Sequence, residues 1–172
     1  MKRVAVFLDG ANIFYTQKKL GWYVDNERLL EYCKTFGTVT EAVYYTGINT
    51  EDDKQKKYRD KLAYLGYSLV TKPIKTIYDN AHGSIMQKAN LDVEIVLDMF
   101  NMVDRYDVAI LISGDGDFER ALQQLKSRGK EVKVISTRGL VANELVYTTG
   151  INYIDFLSIK EIVERKEYDE AA

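Results

Sequence analysis

Two short apolar runs in this chain end in acids. The first, Val4-Ala5-Val6-Phe7-Leu8, leads into Asp9-Gly10-Ala11-Asn12, and another, Val108-Ala109-Ile110-Leu111-Ile112, leads into Ser113-Gly114-Asp115-Gly116-Asp117-Phe118. A further acid, Asp92, precedes Ile95 and Val96 by three and four residues and so extends the apolar stripe of a helical pattern (Ile95, Val96, Met99, Phe100, Val103). Asp98 falls about 120° round that helix from Asp92, and with Glu94 it reads as a solvated or supporting group. Carboxylates gathered in one place repel and raise one another's pKa, and a cation relieves that. Cys33 and His82 are the only residues of their types, so oxygen donors alone are on offer, and these suit a hard ion such as Mg2+ or Mn2+. Such a site activates a water and clamps the oxygens of an in-line phosphoryl displacement. Asn12 and Ser113 would support it by orienting a water or a phosphate oxygen. Each acid also has a plainer reading: Asp117 as a helix N-cap, Asp9 and Asp115 as turn residues.

The elements that must position these residues alternate. Strands are expected at Val4–Leu8, Glu41–Thr46, Tyr67–Thr71, Val108–Ile112, Val132–Ser136 and Tyr153–Phe156. Helices are expected at about Asn12–Leu20, Asn26–Thr35, Asp52–Leu65, Asn90–Val103, Asp117–Arg128 and Val141–Thr148, with a last one capped by Ser158. Pro73 limits the third strand, and Ile74 to Lys88 reads as an edge hairpin or a loop around Asp79-Asn80-Ala81-His82-Gly83. Alternation of this kind implies an α/β fold, a parallel sheet of five or six strands with helices on both faces. In such sheets ligands bind beyond the carboxyl ends of the strands, where strand order reverses. If the two apolar strands are neighbours there, Asp9, Asp115 and Asp117 converge. One domain over residues 1–165 is expected, with 166–172 as a short acidic tail.

Composition narrows the function classes. The 172 residues carry 24 Lys+Arg against 26 Asp+Glu, a net charge of −2 that argues neither for nor against nucleic acid. With 46% hydrophobic and 29% charged residues the chain is too apolar to be disordered. A lone cysteine excludes a disulfide framework, and a lone histidine disfavours a Ser-His-Asp triad. After Met1-Lys2-Arg3 the apolar run stops at Leu8, short of the ~7–15 residues of a signal peptide's apolar region. No stretch approaches the ~18 apolar residues of a membrane span. The expectation is a cytoplasmic protein with no membrane partner, whose many tyrosines would also suit a homo-oligomer.

Three motifs, Phe7-Leu8-Asp9-Gly10-Ala11-Asn12, then Lys88-Ala89-Asn90-Leu91-Asp92-Val93-Glu94-Ile95-Val96-Leu97-Asp98, then Ser113-Gly114-Asp115-Gly116-Asp117-Phe118, resemble in order those of NYN domains. The branch they resemble is the LabA-like group of the PIN-like nucleases. Ala89 stands where the family usually has Gly. The resemblance implies a Rossmann-like PIN fold and divalent-metal-dependent cleavage of RNA. Asp9, Asp92, Asp115 and Asp117 would form its acidic pocket, with Asn12 and Ser113 in support.

RNA needs cationic contacts for its phosphates. Lys72, Lys75 and Lys88 flank the segment before Asp92, and Arg138 follows the strand ending at Ser136, so these four are the candidate substrate-binding cations. The run Lys54, Lys56, Lys57, Arg59, Lys61 is interleaved with Asp52, Asp53 and Asp60 and reads instead as a solvated helix face laced with ion pairs. Other functions fit less well. A haloacid-dehalogenase-type phosphatase wants an acid at Ala11, and a glycosyltransferase reading of Asp115-Gly116-Asp117 leaves Asp9 and Asp92 unexplained. A non-catalytic RNA- or protein-binding regulatory module on the same fold is the standing alternative to a ribonuclease.

Overall fold

The two apolar runs become adjacent strands at the centre of one sheet. The computed structural model describes residues 1–49, 52–79 and 84–166, with backbone alone for 76–79 and 84–88. In chain order run β1 (Arg3–Asp9), α1 (Gly10–Leu20), α2 (Asn26–Lys34), β2 (Thr38–Ile48), α3 (Asp53–Tyr64), β3 (Ser68–Pro73), β4 (Lys75–Asp79) and β5 (Ser84–Lys88). There follow α4 (Asp92–Asn101), β6 (Val108–Ile112), α5 (Glu119–Ser127), β7 (Glu131–Ser136), α6 (Asn143–Thr149), β8 (Tyr153–Asp155) and α7 (Lys160–Val163). Six strands form one parallel sheet in the order β3-β2-β1-β6-β7-β8. Order therefore reverses between β1 and β6, where Leu8 pairs with Ile112, the last residue of β6.

Side chains of a strand alternate between its two faces, and that alternation divides the core in two. Val4, Val6 and Leu8 with Val108, Ile110 and Ile112 pack against Ile13 of α1, Leu29, Leu30 and Cys33 of α2, Leu62 of α3 and Val163 of α7. Ala5 and Phe7 with Ala109 and Leu111 pack on the other face against Ile95 and Met99 of α4, Ala121, Leu122 and Leu125 of α5 and Leu145 of α6. A strand covered on both sides has no polar face, which is why these two runs are continuously apolar. Burial pushes the Cys33 thiol up to about 12, so it sits in this core as a small neutral hydrophobe.

Several boundaries differ from the sequence expectations. β2 begins at Thr38 rather than Glu41 because a bulge opposite Val4 and Ala5 lets its polar start join the sheet. There the Thr40 hydroxyl reaches the carbonyls of Val4 and Arg105. The segment after Pro73 holds an antiparallel pair, β4 with β5, apart from the main sheet, while Asn80-Ala81-His82-Gly83 lies outside the described residues. The last helix is not capped by Ser158. Asp155 accepts the Leu157 N–H, and the Ser158 hydroxyl donates to the Asp155 carbonyl. Among the described residues no helix is long and apolar enough to cross a membrane.

Candidate metal centre

Asp9 closes β1 and opens α1. Its Oδ1 accepts the backbone N–H groups of Ala11 and Asn12, both at 3.1 Å, and so caps two of the helix's orphan donors. Its Oδ2 accepts the hydroxyl of Ser113 at 3.0 Å. Gly10 makes this handover possible. A Cβ there would lie 2.6 Å from the Tyr45 carbonyl oxygen and 2.7 Å from the Tyr44 ring, so only glycine lets α1 start so close to β2.

Ser113 links the two strand ends. It is fully buried, and its hydroxyl, while donating to Asp9, also accepts the Asp115 N–H at 3.3 Å. Asp115 Oδ1 in turn accepts the Asp117 N–H at 3.0 Å, starting a 3-10 turn over Gly116–Phe118 that leads into α5. Asp115 therefore caps this turn, and the Asp117 carboxylate is spared that duty. Across the crevice, Asn90 Oδ1 accepts the Asp92 N–H at 2.8 Å and sets the first turn of α4.

The outcome is an acidic cluster at the carboxyl ends of the central strands. One carboxylate oxygen from each of Asp92, Asp115 and Asp117 lies within 4.8 Å of the other two. Asp92 is half-buried, while Asp115 and Asp117 are exposed. Asp9 stands outside that group with both its oxygens already engaged. The donor chemistry suits a hard cation. Ligand oxygens on opposite sides of Mg2+ are about 4.2 Å apart, so small rotations of the two exposed carboxylates would close on an ion.

Electrostatics agree. Burial pushes the Asp9 carboxyl above its ordinary value, and the charge of Asp92 adds to the rise; hydrogen bonds from Asn12, Ser113 and Ala11 offset it only in part. A raised folded-state pKa means that the native chain holds this proton more tightly than the unfolded one. The associated stability is present at low pH and lost as pH rises through the raised value. Asp9→Asn keeps a capping oxygen and removes the charge. Its melting temperature at neutral pH in EDTA is expected to exceed that of the unaltered chain, by about 2–4 °C per kcal/mol relieved. The gain should vanish in acid, where Asp9 is itself protonated; an equal or lower neutral-pH melting temperature would contradict the desolvation argument.

The other candidate residues are placed less uniformly. Asn12 contributes its backbone N–H to Asp9. Lys72 is ion-paired with Glu94 and donates to the Asn90 carbonyl at 3.2 Å, beside the start of α4. Lys75 is exposed at the start of β4, and the Lys88 side chain lies outside what the structure describes. Arg138 is 87% exposed, with its Nε 3.7 Å from Asp155. Asp98 accepts the buried Tyr45 hydroxyl at 2.9 Å, which the sequence did not reveal because the pair joins α4 to β2. Asn90 was also missed, although an Asn two residues before a helical acid is itself a capping signal.

Fold and site together define a Rossmann-like α/β protein of PIN-like architecture with a metal-capable acidic cluster at its switch point. The sequence model of the NYN domain matches residues 3–157, and the chain belongs to that family, in its LabA-like branch. It is 43% identical over 171 residues to the low amplitude and bright protein LabA of Synechococcus elongatus, covering 98% of this chain and 91% of that protein. It is also similar to the crystal structure of a protein of unknown function from Vibrio parahaemolyticus. That match has a TM-score of 0.79 and 23% identity over 95% of this chain and 96% of the other, and it speaks for the fold. Family, fold and triad jointly support metal-dependent nuclease activity.

Proposed function

We propose that the chain hydrolyses phosphodiester bonds of RNA with Mg2+ or Mn2+ as cofactor. The observation that carries this reading is the convergence of three carboxylates within 4.8 Å at the switch point of a parallel sheet. Asp92, Asp115 and Asp117 would hold the ion. When bound, such an ion supplies a water of lowered pKa and neutralises the oxygens of the phosphate under attack. Asp9 completes the acidic site by fixing Ser113, whose hydroxyl positions the Asp115 backbone. Asn12 would orient a water or phosphate oxygen. Lys75, together with Lys72, Lys88 and Arg138, would hold flanking phosphates by charge. Residues 1–165 act as one domain in this reading, with 166–172 as its tail.

A second reading is a non-catalytic RNA- or protein-binding module. It is favoured by Asp9, whose two carboxylate oxygens are both taken by hydrogen bonds within the chain. Incubation with labelled single-stranded and structured RNAs in Mn2+ or Mg2+, beside EDTA, separates the two. Cleavage that requires the ion is expected. Intact RNA throughout, with Mn2+ binding confirmed by calorimetry, would overturn the nuclease reading in favour of the module.

A further inference from the structure

Next to the acidic cluster lies a concavity that the metal site does not use. It opens between α1, the carboxyl end of β2 and α3, with a volume of about 590 Å3, inside the ~300–1,000 Å3 range of ligand clefts. Its wall includes Gly10, which follows Asp9, and Ala89, three residues before Asp92, so it borders the segments that carry two of the site's carboxylates.

Three features say what would enter it. At the rim, Phe14 and Tyr15 of α1 are 61% and 58% exposed, an unusual position for two adjacent large rings, and they meet edge to face at 5.5 Å. Inside, Tyr44 and Tyr58 present further ring surface, their hydroxyls 3.2 Å apart. Arg59 also lines the cleft, and its Nη1 is shut off from solvent with no hydrogen-bond partner among the described residues. A buried guanidinium donor without an acceptor is costly, and because Arg59 as a whole is only half-buried, a small rotation of its side chain would bring Nη1 to a group held in the cleft. Aromatic faces beside a donor-only cation are the means by which proteins hold an unstacked base, stacking its ring and bonding its edge.

We infer that this cleft takes one base of a single-stranded RNA, next to the phosphate at the acidic cluster, with the base against Phe14 and an edge acceptor on Arg59 Nη1. The inference rests on the RNA-cleaving reading and supplies its substrate class: a strand from which a base can be splayed out, not a continuous duplex. It also gives Arg59 a role different from the solvated helix face that its charged neighbours suggest.

The test is fluorescence anisotropy of a labelled mixed-sequence hexaribonucleotide in EDTA, so that cleavage does not enter. The same hexamer in a duplex and the four nucleoside monophosphates serve as comparison probes. The unaltered chain should bind the single strand. Arg59→Met and Phe14→Ala should each bind it about tenfold more weakly. Phe14 is exposed, so its variant should melt with the unaltered chain and report binding without a folding effect. Unchanged affinity in both variants would overturn the assignment, as would equal affinity for the duplex. Monophosphates bound as tightly as the hexamer would make the cleft a free-nucleotide site and overturn the strand proposal. Because metal and cleavage are absent from this assay, failure of the nuclease reading would be seen separately, in the cleavage experiment.

Discussion

Asp115→Asn is expected to remove RNA cleavage while leaving the fold in place. The side chain has two separable tasks. Its Oδ1 accepts the Asp117 N–H, and an asparagine keeps an oxygen there, since Asn and Asp cap about equally well. Its charge makes one of three anionic donors lying within 4.8 Å, and that is what asparagine lacks. Loss of an outer-shell partner alone costs about 10–100-fold in metal affinity, and loss of a direct donor should reach or exceed the upper figure. The expected result is Mn2+ affinity lowered by about 100-fold or more in calorimetry. Cleavage at fixed Mn2+ should fall with it, and unfolding free energy should stay within about 0.5 kcal/mol, as for surface substitutions generally. Full cleavage by this variant would remove Asp115 from the site and with it the proposed centre.

The parts of this centre that could be read from sequence are those fixed by local pattern. Short continuous apolar runs that end at turn residues fit strands buried on both faces, so β1 and β6, and the acids that follow them, are legible in the sequence alone. Position along the chain does not say which oxygen faces what. Asp9 and Asp115 both cap helical turns and Asp117 does not, although a cap was the plainer reading that the sequence offered for Asp117. The difference arises because the chain enters α5 through a 3-10 turn at Gly116, which moves the cap two residues earlier. Lys72 shows the other kind of limit. Its pairing with Glu94 joins β3 to α4, and no periodicity within either element encodes a contact between them. For Arg59 the local pattern misled outright, because alternating charge describes a helix's outer face and is silent about a nitrogen folded under it.

Phe118→Ala should be the most destabilising single change near the site, and its effect on the ion would show how the acidic loop is held. Phe118 is fully buried among Leu91, Ile95, Leu122 and Leu145, where α4, α5 and α6 meet on one face of the sheet. It directly follows Asp117, so the loop carrying two of the three carboxylates is anchored by this ring. Truncation of a buried phenylalanine to alanine costs about 3–5 kcal/mol in lost burial and cavity formation, a large part of the ~5–15 kcal/mol that holds a typical domain together. The expected result in urea is a lowered midpoint with an unchanged slope, and in heat a fall of about 2–4 °C per kcal/mol. Below its midpoint the variant stays folded, and there its Mn2+ affinity becomes informative. If the ring fixes the loop, affinity falls along with stability, and Phe118→Leu recovers most of both by refilling the space. If affinity holds while stability drops, the chain of hydrogen bonds from Asp9 through Ser113 to Asp115 and Asp117 is enough to place the carboxylates. The ring would then serve only the core beneath them.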